Sequence, residues 1–341
     1  MSVNPITHAD LPGIVAAHCA LTAITDAPSP AMILGTPGIG KSEAVEQAAR
    51  AALGEAGGFI TLNCATLDTS DLAGLPWERD GRLVHLPMGA LPDAATCEAR
   101  GVLFLDEAAQ ANDDVQAALM QLTLTGRVGG YVLPAGWTII LAGNYASDGA
   151  GAGRINRALA NRAGVYDLAA DVDAWRAWAE RTGLDARVSA FIAFRPDLLN
   201  TFDPRATINA TPRAWSLAAA MLGRDTSPAL ARVLVQGRVG EGPATEFMAF
   251  LRVWDNLPDL DAVARGEDVA TPHDPATRFA TCAALARRAT RDNFAHLMAY
   301  AGRMGAEWAA MLDTDATTRD PELLHSDGHA AFVREFGGAF L

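Results

Sequence analysis

AMILGTPGIGKS, residues 31–42, joins a short apolar segment to a glycine-rich turn that ends in Lys41 and Ser42. The turn matches the phosphate-binding pattern G-x-x-x-x-G-K-[ST], and it lies between a predicted strand and a helical stretch over 41–53, which is the context that the pattern requires. Backbone N–H groups of such a turn and of the following helix N-terminus surround phosphate groups. The residues of this predicted phosphate-binding loop are Gly35, Thr36, Pro37, Gly38, Ile39, Gly40, Lys41 and Ser42.

Lys41 is the one lysine of this 341-residue chain, in which the other 26 basic residues are all arginine. Lysine carries a compact charge, whereas the guanidinium of arginine is a bulkier planar group. Inside the loop, an ammonium can reach the β- and γ-phosphate oxygens where a guanidinium would not fit, and the Ser42 hydroxyl can bind Mg²⁺. The exception to the arginine bias therefore supports a nucleotide-binding function for the loop.

Short apolar segments alternate with helical stretches up to about residue 168, and this order predicts an α/β fold with a parallel sheet flanked by helices. Residues 74–92 are rich in Gly and Pro and predict a loop or small hairpin, while Gly-Gly between β-formers predicts a hairpin over 127–134. The predicted strands are 31–35, 59–63, 101–106, 138–144 and 165–168, and the predicted helices lie near 41–53, 112–125 and 155–162.

The pattern becomes helical almost throughout after about residue 170, and a Pro- and Asp-rich connection over 256–275 interrupts it. We therefore predict three parts. These are an α/β nucleotide-binding core over 1–169, a helical region over 170–260 and a helical C-terminal extension over 261–341.

Two acidic residues, Asp106 and Glu107, end the apolar segment GVLFLDE. Taken alone, they would also suit an exposed helix N-terminus. Carboxylates that follow a buried strand are costly unless they hold a cation, so beside a phosphate-binding loop we predict that Asp106 helps to hold Mg²⁺. Glu107 is then the predicted general base for the attacking water. Asn144 ends another buried strand, where its amide can orient that water.

Four arginines are further candidates for the site. Arg154, Arg157 and Arg162 lie on one short helical run, and each taken alone suits a solvated helix face. Arg213 lies in the first turn of the helix predicted after Thr-Pro in NATPRAWS. The helix dipole disfavours a cation there, so we expect Arg213 to face an anion.

The composition and charge argue against several other classes of protein. The net charge of −13 and the lack of a basic run disfavour binding to nucleic acid. No apolar run is long enough to span a bilayer, and the N-terminus MSVNPITHADLPG has no features of a secretory signal. The cysteines are widely spaced and form no CxxC pair, which predicts free thiols and a cytoplasmic protein. They are Cys19, Cys64, Cys97 and Cys282.

The motifs GTPGIGKS, VLFLDE, LAGN, LANR and ATPRAW resemble those of AAA+ ATPases of the MoxR-like group, which is related to the dynein-type AAA subfamily. The resemblance covers nearly the whole chain and implies a P-loop NTPase core followed by a lid over 170–260. It implies Walker A roles for Lys41 and Ser42, Walker B roles for Asp106 and Glu107, and a sensor 1 role for Asn144.

The same resemblance implies roles for the arginines and the two insertions. Arg162 corresponds to the arginine finger that reaches a neighbouring subunit's nucleotide, Arg154 to a second arginine of that helix, and Arg213 to sensor 2. Family members commonly have an aromatic residue after the finger, whereas this chain has Ala163, so the choice between Arg157 and Arg162 stays open. The insertions 74–92 and 127–134 correspond to a helix-2 insert and a pre-sensor hairpin, which usually face the pore side of the ring.

As a member of that group, the chain is expected to bind ATP and Mg²⁺, to hydrolyse ATP, and to assemble into a ring, by family analogy a hexamer, that remodels a client protein. The usual client or co-factor contains a von Willebrand A-type domain. The alternatives are a nucleic-acid-dependent motor on the same core, a small-molecule kinase, and a nucleotide-gated scaffold with little turnover. The residues that contact adenine stay open, with 10–24 as the candidate segment.

Overall fold

The chain divides into an α/β unit and a helical unit, and each is described by itself. The first comprises Met1–Asp171 and Phe202–Thr207, and the second comprises Val172–Thr201 and Ile208–Leu341. The computed structural model describes residues 5–25, 27–87, 89–145, 148, 157–223 and 226–336.

A six-stranded parallel sheet forms the centre of the α/β unit, in the order β1-β10-β2-β9-β6-β3. Two antiparallel hairpins, β4–β5 and β7–β8, lie outside this sheet. The strands are β1 (Pro5–Ile6), β2 (Ala31–Leu34), β3 (Gly58–Asn63), β4 (Leu75–Arg79), β5 (Arg82–Leu86), β6 (Gly101–Asp106), β7 (Arg127–Val128), β8 (Tyr131–Val132), β9 (Trp137–Gly143) and β10 (Gly164–Leu168).

Helices cover both faces of the sheet, which confirms the predicted fold class. Successive residues of a strand point to opposite faces. Accordingly, Leu103 and Leu105 of β6 belong to the apolar cluster that includes the helix α4, whereas Val102 and Phe104 belong to the cluster that includes α1 and α2. The helices of this unit are α1 (Leu11–Thr25), α2 (Lys41–Leu53), α3 (Thr69–Ala73), α4 (Asp113–Thr125) and α5 (Arg157–Ala160).

Three elements of this unit, β1, α1 and the five-residue helix α3, were not predicted from the sequence. β1 has only two residues, which is too short to show a periodic pattern. α1 begins with Leu11-Pro12-Gly13, and Pro-Gly typically marks a turn; proline is nevertheless tolerated in the first turn of a helix. The predicted helix over 155–162 is α5, Arg157–Ala160, within the described residues.

The two insertions contain the two hairpins, and they contact each other at the turn Gly129-Gly130. Gly130 N donates a hydrogen bond to Ala73 O at 3.0 Å. Gly129 has φ +54°, and a Cβ there would overlap Ala73, the residue just before the first insertion. A Cβ at Gly130 would overlap the backbone of His85 within that insertion. Residues without a side chain are therefore required where the hairpins meet.

We expect Gly130→Ala to destabilise the protein by about 1–3 kcal/mol, because the added methyl group would force the two insertions apart. Thermal unfolding of the full chain measures this change. Gly13→Ala is the matched control, since a Cβ at Gly13 meets no atom within 4 Å. Alanine should stabilise α1 by about 0.5–1 kcal/mol. An unchanged unfolding temperature for Gly130→Ala would contradict the close approach.

The helical unit contains the helices predicted after residue 170 and one that was missed, α11, within the connection 256–275. No helix in the described part of the chain is long and apolar enough to cross a bilayer. The helices are α6 (Val172–Arg181), α7 (Ala186–Phe194), α8 (Pro212–Met221), α9 (Pro228–Val239), α10 (Glu241–Trp254), α11 (Leu260–Ala264), α12 (Pro275–Ala286), α13 (Phe294–Gly302), α14 (Ala306–Arg319) and α15 (Asp327–Phe336).

Two apolar centres hold this unit together. Phe191 of α7 packs against Trp215 and Phe247, with ring centroids 5.5 and 5.3 Å away. A second cluster of buried side chains extends from Val263 to Leu323. Phe332 and Phe336 of α15 pack against the second cluster.

Candidate nucleotide-binding site

The glycine pattern of the loop 35–42 is required by its backbone. Gly38 and Gly40 have φ angles of +82° and +93°, in the left-handed region that glycine adopts without strain. A Cβ at Gly35 would lie 2.8 Å from Leu168 O, so the loop also packs closely on the end of β10. α2 begins at Lys41 directly after Gly40. The free N–H groups of its first turn therefore follow the loop.

Lys41 connects the loop with the end of β9. Its side chain is buried, and Nζ donates to Gly35 O at 2.8 Å, to Thr36 O at 3.1 Å and to Asn144 Oδ1 at 2.6 Å. β2 and β9 are neighbours in the sheet, so the loop and Asn144 leave the same edge. The structure thus brings Lys41 and Asn144 into direct contact.

Ser42 makes the corresponding contact with the end of β6. Its hydroxyl donates to Asp106 Oδ2 at 2.5 Å, and Asp106 Oδ1 accepts from the backbone N–H of Glu107 at 2.9 Å. A cation, a hydroxyl, an amide and the Asp106 carboxylate therefore lie together at the carboxyl edge of the sheet, and Glu107 directly follows Asp106. Such an edge is where open α/β sheets bind their ligands.

Glu107 has an unusual backbone conformation that its sequence motif does not show. Its φ is +54°, and such a left-handed conformation costs a residue with a side chain about 1–2 kcal/mol. Neighbouring hydrogen bonds hold the turn: Ala108 N donates to Ala142 O, and Gln110 N donates to Glu107 O, both at 2.9 Å. Strain that the surrounding structure maintains in this way is typical of functional sites.

Two further groups at this edge were not found from the sequence. The Tyr145 hydroxyl donates to Asp167 at the end of β10, and Tyr145 N donates to Asp148 Oδ2 at 3.2 Å, so the residue after Asn144 is fixed from both sides. His8 lies beside the loop, where burial lowers the pKa of its imidazole against the opposing effects of Asp171 and of the Ile39 backbone. Tyr145 and His8 interact with residues that are distant in the sequence, so no local motif identifies them as part of this edge.

The candidate adenine segment 10–24 lies almost entirely in α1. Leu11 and Val15 of this helix are fully buried in the same apolar cluster as Ile39 of the loop. His8, just before the helix, has its Nε2 3.8 Å from the position of a Cβ on Gly40. The structure therefore places the chain before α1, as well as α1 itself, next to the loop.

Cys64 follows β3 and is completely buried near the two carboxylates. Burial, and secondly the negative charges of Asp106 and Glu107, raise the pKa of the Cys64 thiol to about 12. The side chain therefore stays a neutral thiol at physiological pH.

We expect Cys64 to react with iodoacetamide at pH 8 about a thousandfold more slowly in the native protein than in urea, because the thiolate is the nucleophile and an ordinary cysteine has a pKa of about 8.5. Mass spectrometry of labelled peptides gives both rates. Equal rates in the native and unfolded protein would contradict the buried position of Cys64.

Among the described arginine side chains of the α/β unit, the candidate Arg162 forms no hydrogen bond with this group. Arg162 is exposed, and its Nη1 donates to Ala158 O at 3.3 Å. Arg157 begins α5, with only its backbone described, and Arg154 lies outside the described residues. Arg213 is exposed in the first turn of α8, in the helical unit, after the N-cap Thr211.

Comparisons with known proteins agree with this geometry. The family profile described as AAA domain (dynein-related subfamily) matches residues 30–145. A comparison with curated proteins found no match.

Several solved structures are similar at low identity. NtrX from Brucella abortus is 18% identical, with 94% of this chain and 67% of that chain covered and a TM-score of 0.34. Its complex with ADP is 17% identical, with 96% and 68% covered and a TM-score of 0.37. Hsp104 in a closed state with ATPγS and FITC casein is 15% identical, with 73% and 48% covered and a TM-score of 0.36.

The matched residues 30–145 include the phosphate-binding loop, both carboxylates and Asn144, whose side chains the structure brings together. Residues 30–145 are therefore similar to an AAA domain of the dynein-related subfamily.

Proposed function

We propose that this protein binds ATP with Mg²⁺ and hydrolyses it to ADP and phosphate. The observation that carries the proposal is the pair of contacts made by two consecutive residues: Lys41 to Asn144, and Ser42 to Asp106. Together they surround the end of the glycine loop with the groups that phosphoryl transfer to water requires. That reaction depends on neutralising charge and positioning the attacking water.

The side chains present fit a magnesium ion. Mg²⁺ prefers oxygen ligands, and the Ser42 hydroxyl and the Asp106 carboxylate lie 2.5 Å apart at the same point. These two residues would hold the ion, directly or through water. When bound, Mg²⁺ neutralises charge on the β- and γ-phosphates.

The protein's own groups supply the other functions. The Lys41 ammonium binds the γ-phosphate, Asn144 orients the attacking water, and Glu107 accepts the proton of that water. The left-handed backbone of Glu107 directs its side chain away from the path that a regular strand would give it. Fixing the conformation in advance reduces the entropy that is lost when the water is positioned.

Two measurements on the full chain test this function. The protein should release phosphate from ATP, and this release should stop when Mg²⁺ is chelated. A kinase would retain the labelled γ-phosphate on an acceptor other than water. A nucleic-acid motor would be stimulated by DNA or RNA at moderate salt, which the net charge of −13 disfavours. A scaffold would bind ATP without turnover.

The more specific part of the proposal is a MoxR-type ring, a hexamer by family analogy, that remodels or activates a partner protein with a von Willebrand A-type domain. Its support is the motif resemblance and the two insertions, which approach each other where Gly130 meets the backbone of His85. The four cysteines are all free thiols, which supports a cytoplasmic location. We also retain the division into core, lid and extension at residues 169 and 260; the buried cluster from Val263 to Leu323 supports the last part.

Arg162 is the proposed finger, with Arg154 as a second arginine and Arg213 as sensor 2. The guanidinium of Arg162, just after the end of α5, is exposed and therefore accessible to a neighbouring subunit. A guanidinium supplied in this way stabilises the charge of the transition state.

We expect Arg162→Ala to keep ATP affinity but to lower turnover about a thousandfold or more. Mixing these subunits with Lys41→Ala subunits should restore part of the activity, because some sites then have both residues intact. Steady-state phosphate release measures both effects, with the exposed Arg181→Ala of α6 as control. No recovery in confirmed mixed rings would contradict action across an interface. If Arg157→Ala rather than Arg162→Ala lowers turnover, the arginine finger is Arg157.

A further inference from the structure

One side of the hairpin β4–β5 combines exposed apolar side chains with two arginines. In the antiparallel register, three alternate residues of β4 each lie opposite one residue of β5. Because alternate residues of a strand share a face, these three cross-strand pairs lie on the same side of the hairpin. We call this side the hairpin face. Its pairs are Leu75 with Leu86, Trp77 with Val84, and Arg79 with Arg82.

The apolar residues of the hairpin face are grouped and largely open to solvent. Trp77 is 61% exposed, Leu75 is 50% exposed and Leu86 is 43% exposed. Single exposed apolar residues are ordinary, whereas a group of them on one surface typically marks an interaction site. Tryptophan is also among the residues that contribute most to binding energy at protein interfaces. The hairpin face therefore has the composition of a binding surface.

The two arginines of the hairpin face lie directly opposite each other. Like charges in such cross-strand pairs are destabilising. No ion pair within the described part of the chain involves Arg79 or Arg82. Of the two acidic residues of the hairpin, Asp80 lies in the turn, and Glu78 lies on the other side, where its Oε1 accepts from Gly81 N at 2.7 Å. A carboxylate from outside the chain would therefore stabilise this pair of cations.

The hairpin is held in shape at its base and at its tip. Gly74, just before β4, has φ +89°, and a Cβ there would lie 2.6 Å from Leu86 O. At the tip, Asp80 and Gly81 have φ +52° and +74°, and two such positive angles are typical of a tight type I′ turn. A surface that is formed in advance loses little entropy when a partner binds.

The strands of the hairpin also have open edges. β4 and β5 form a sheet of two strands, so each has one edge that no other strand covers among the described residues. An extended segment can add to such an edge through main-chain hydrogen bonds. Its alternate side chains would then continue the hairpin face.

We propose that the hairpin face binds an extended segment of a partner protein that has apolar and acidic side chains at alternate positions. The apolar side chains cover Trp77 and its neighbours, and the carboxylates pair with Arg79 and Arg82. The identity of this partner as the client rests on the proposed remodelling function. The surface itself follows from the register, the exposure and the unpaired arginines.

A protein segment fits this surface better than a nucleic acid does. Nucleic acid binding depends on several phosphate contacts, and the hairpin face offers two cations in a chain with a net charge of −13. The aliphatic side chains of Leu75, Val84 and Leu86 would gain nothing from phosphates. A protein segment supplies apolar groups and carboxylates together.

Fluorescence anisotropy of the full chain with a labelled synthetic peptide, in the absence of nucleotide, tests the proposal. The peptide has leucine, phenylalanine and two aspartates at alternate positions, with serine between them. A second peptide has lysine in place of aspartate. We expect saturable binding of the aspartate peptide that weakens as salt is added. The lysine peptide should bind about tenfold more weakly or less, because it brings like charges together. Oligothymidine should not bind.

Variants of exposed residues locate the binding surface. Trp77→Ser should weaken binding of the aspartate peptide about tenfold or more, whereas Trp77→Phe should retain most of it. Replacing Arg79 and Arg82 together with glutamine should weaken it about three- to tenfold and remove its salt dependence. Leu83→Ser is the matched control, because Leu83 is 71% exposed but lies on the other side of the hairpin. It should bind like the unmodified protein, and all variants should keep their unfolding temperature.

Phosphate release from ATP by the same proteins separates this inference from the proposed function. Basal hydrolysis should be unchanged in these variants, since none of the substituted residues belongs to the nucleotide site. Peptide binding without hydrolysis would support the hairpin face and contradict the ATPase function. Hydrolysis without peptide binding would overturn the inference alone. Equal binding of the aspartate and lysine peptides, binding of oligothymidine, or equal losses in Trp77→Ser and Leu83→Ser would also overturn it.

Discussion

Replacing Lys41 with alanine is expected to weaken ATP binding by about two to three orders of magnitude and to abolish hydrolysis. The ammonium is buried and makes two hydrogen bonds within the loop and one to Asn144, so it is held where the phosphates would bind. Removing one partner of such a charge-assisted contact costs about 3–4 kcal/mol, which corresponds to that loss of affinity. Isothermal titration of ATP into the full chain, with Mg²⁺ present, measures the change.

Two further variants make this result specific. Lys41→Arg keeps the charge but brings a larger planar group, so it should not restore ATP binding. Arg50→Ala changes an exposed residue of the same helix that pairs with Glu46, and this variant should bind ATP like the unmodified protein. Unchanged affinity in Lys41→Ala would refute the assignment of the phosphate-binding loop.

Glu107→Gln is expected to bind ATP with unchanged affinity but to hydrolyse it about 10²–10⁴-fold more slowly. The amide has the same shape as the carboxylate and cannot accept the proton of the attacking water. Single-turnover phosphate release, with affinity measured separately, distinguishes a catalytic effect from a binding effect.

Asp114→Asn is the control for Glu107, because Asp114 is an exposed acidic residue in the first turn of the next helix, α4. It should hydrolyse ATP at the normal rate. Normal turnover in Glu107→Gln would remove Glu107 from the role of base. Under the proposed function, the Glu107→Gln protein with bound ATP should also retain its client long enough for affinity capture.

Much of the α/β unit could be predicted from the sequence because its signals are local. The glycine loop lies between an apolar strand and a helix in consecutive residues, and Gly129-Gly130 marks a hairpin by itself. Strands buried on both faces give continuous apolar runs, and those are recognisable in a single sequence. The helices after residue 170 were found for the same reason, since each has its own periodicity and ends at Pro or Gly.

The parts that were missed depend on tertiary contacts. The left-handed conformation of Glu107 and the contact of Gly130 with Ala73 depend on backbone packing that has no sequence motif. Tyr145 meets Asp167 across 22 positions, and Arg176 meets Asp315 across 139. The four polar side chains in these two pairs look like ordinary surface residues in the sequence, and only the fold brings them together.

A crystal structure of the full chain with Mg²⁺ and a non-hydrolysable ATP analogue tests the central claim most directly. We predict the triphosphate within the loop Gly35–Ser42 and an ion about 2.0–2.1 Å from Ser42 Oγ, the usual Mg²⁺–oxygen distance. Asp106 should lie in the first or second shell of that ion, and a water should lie between Glu107 and the γ-phosphate. A triphosphate bound elsewhere, or an ion remote from both Ser42 and Asp106, would contradict the account.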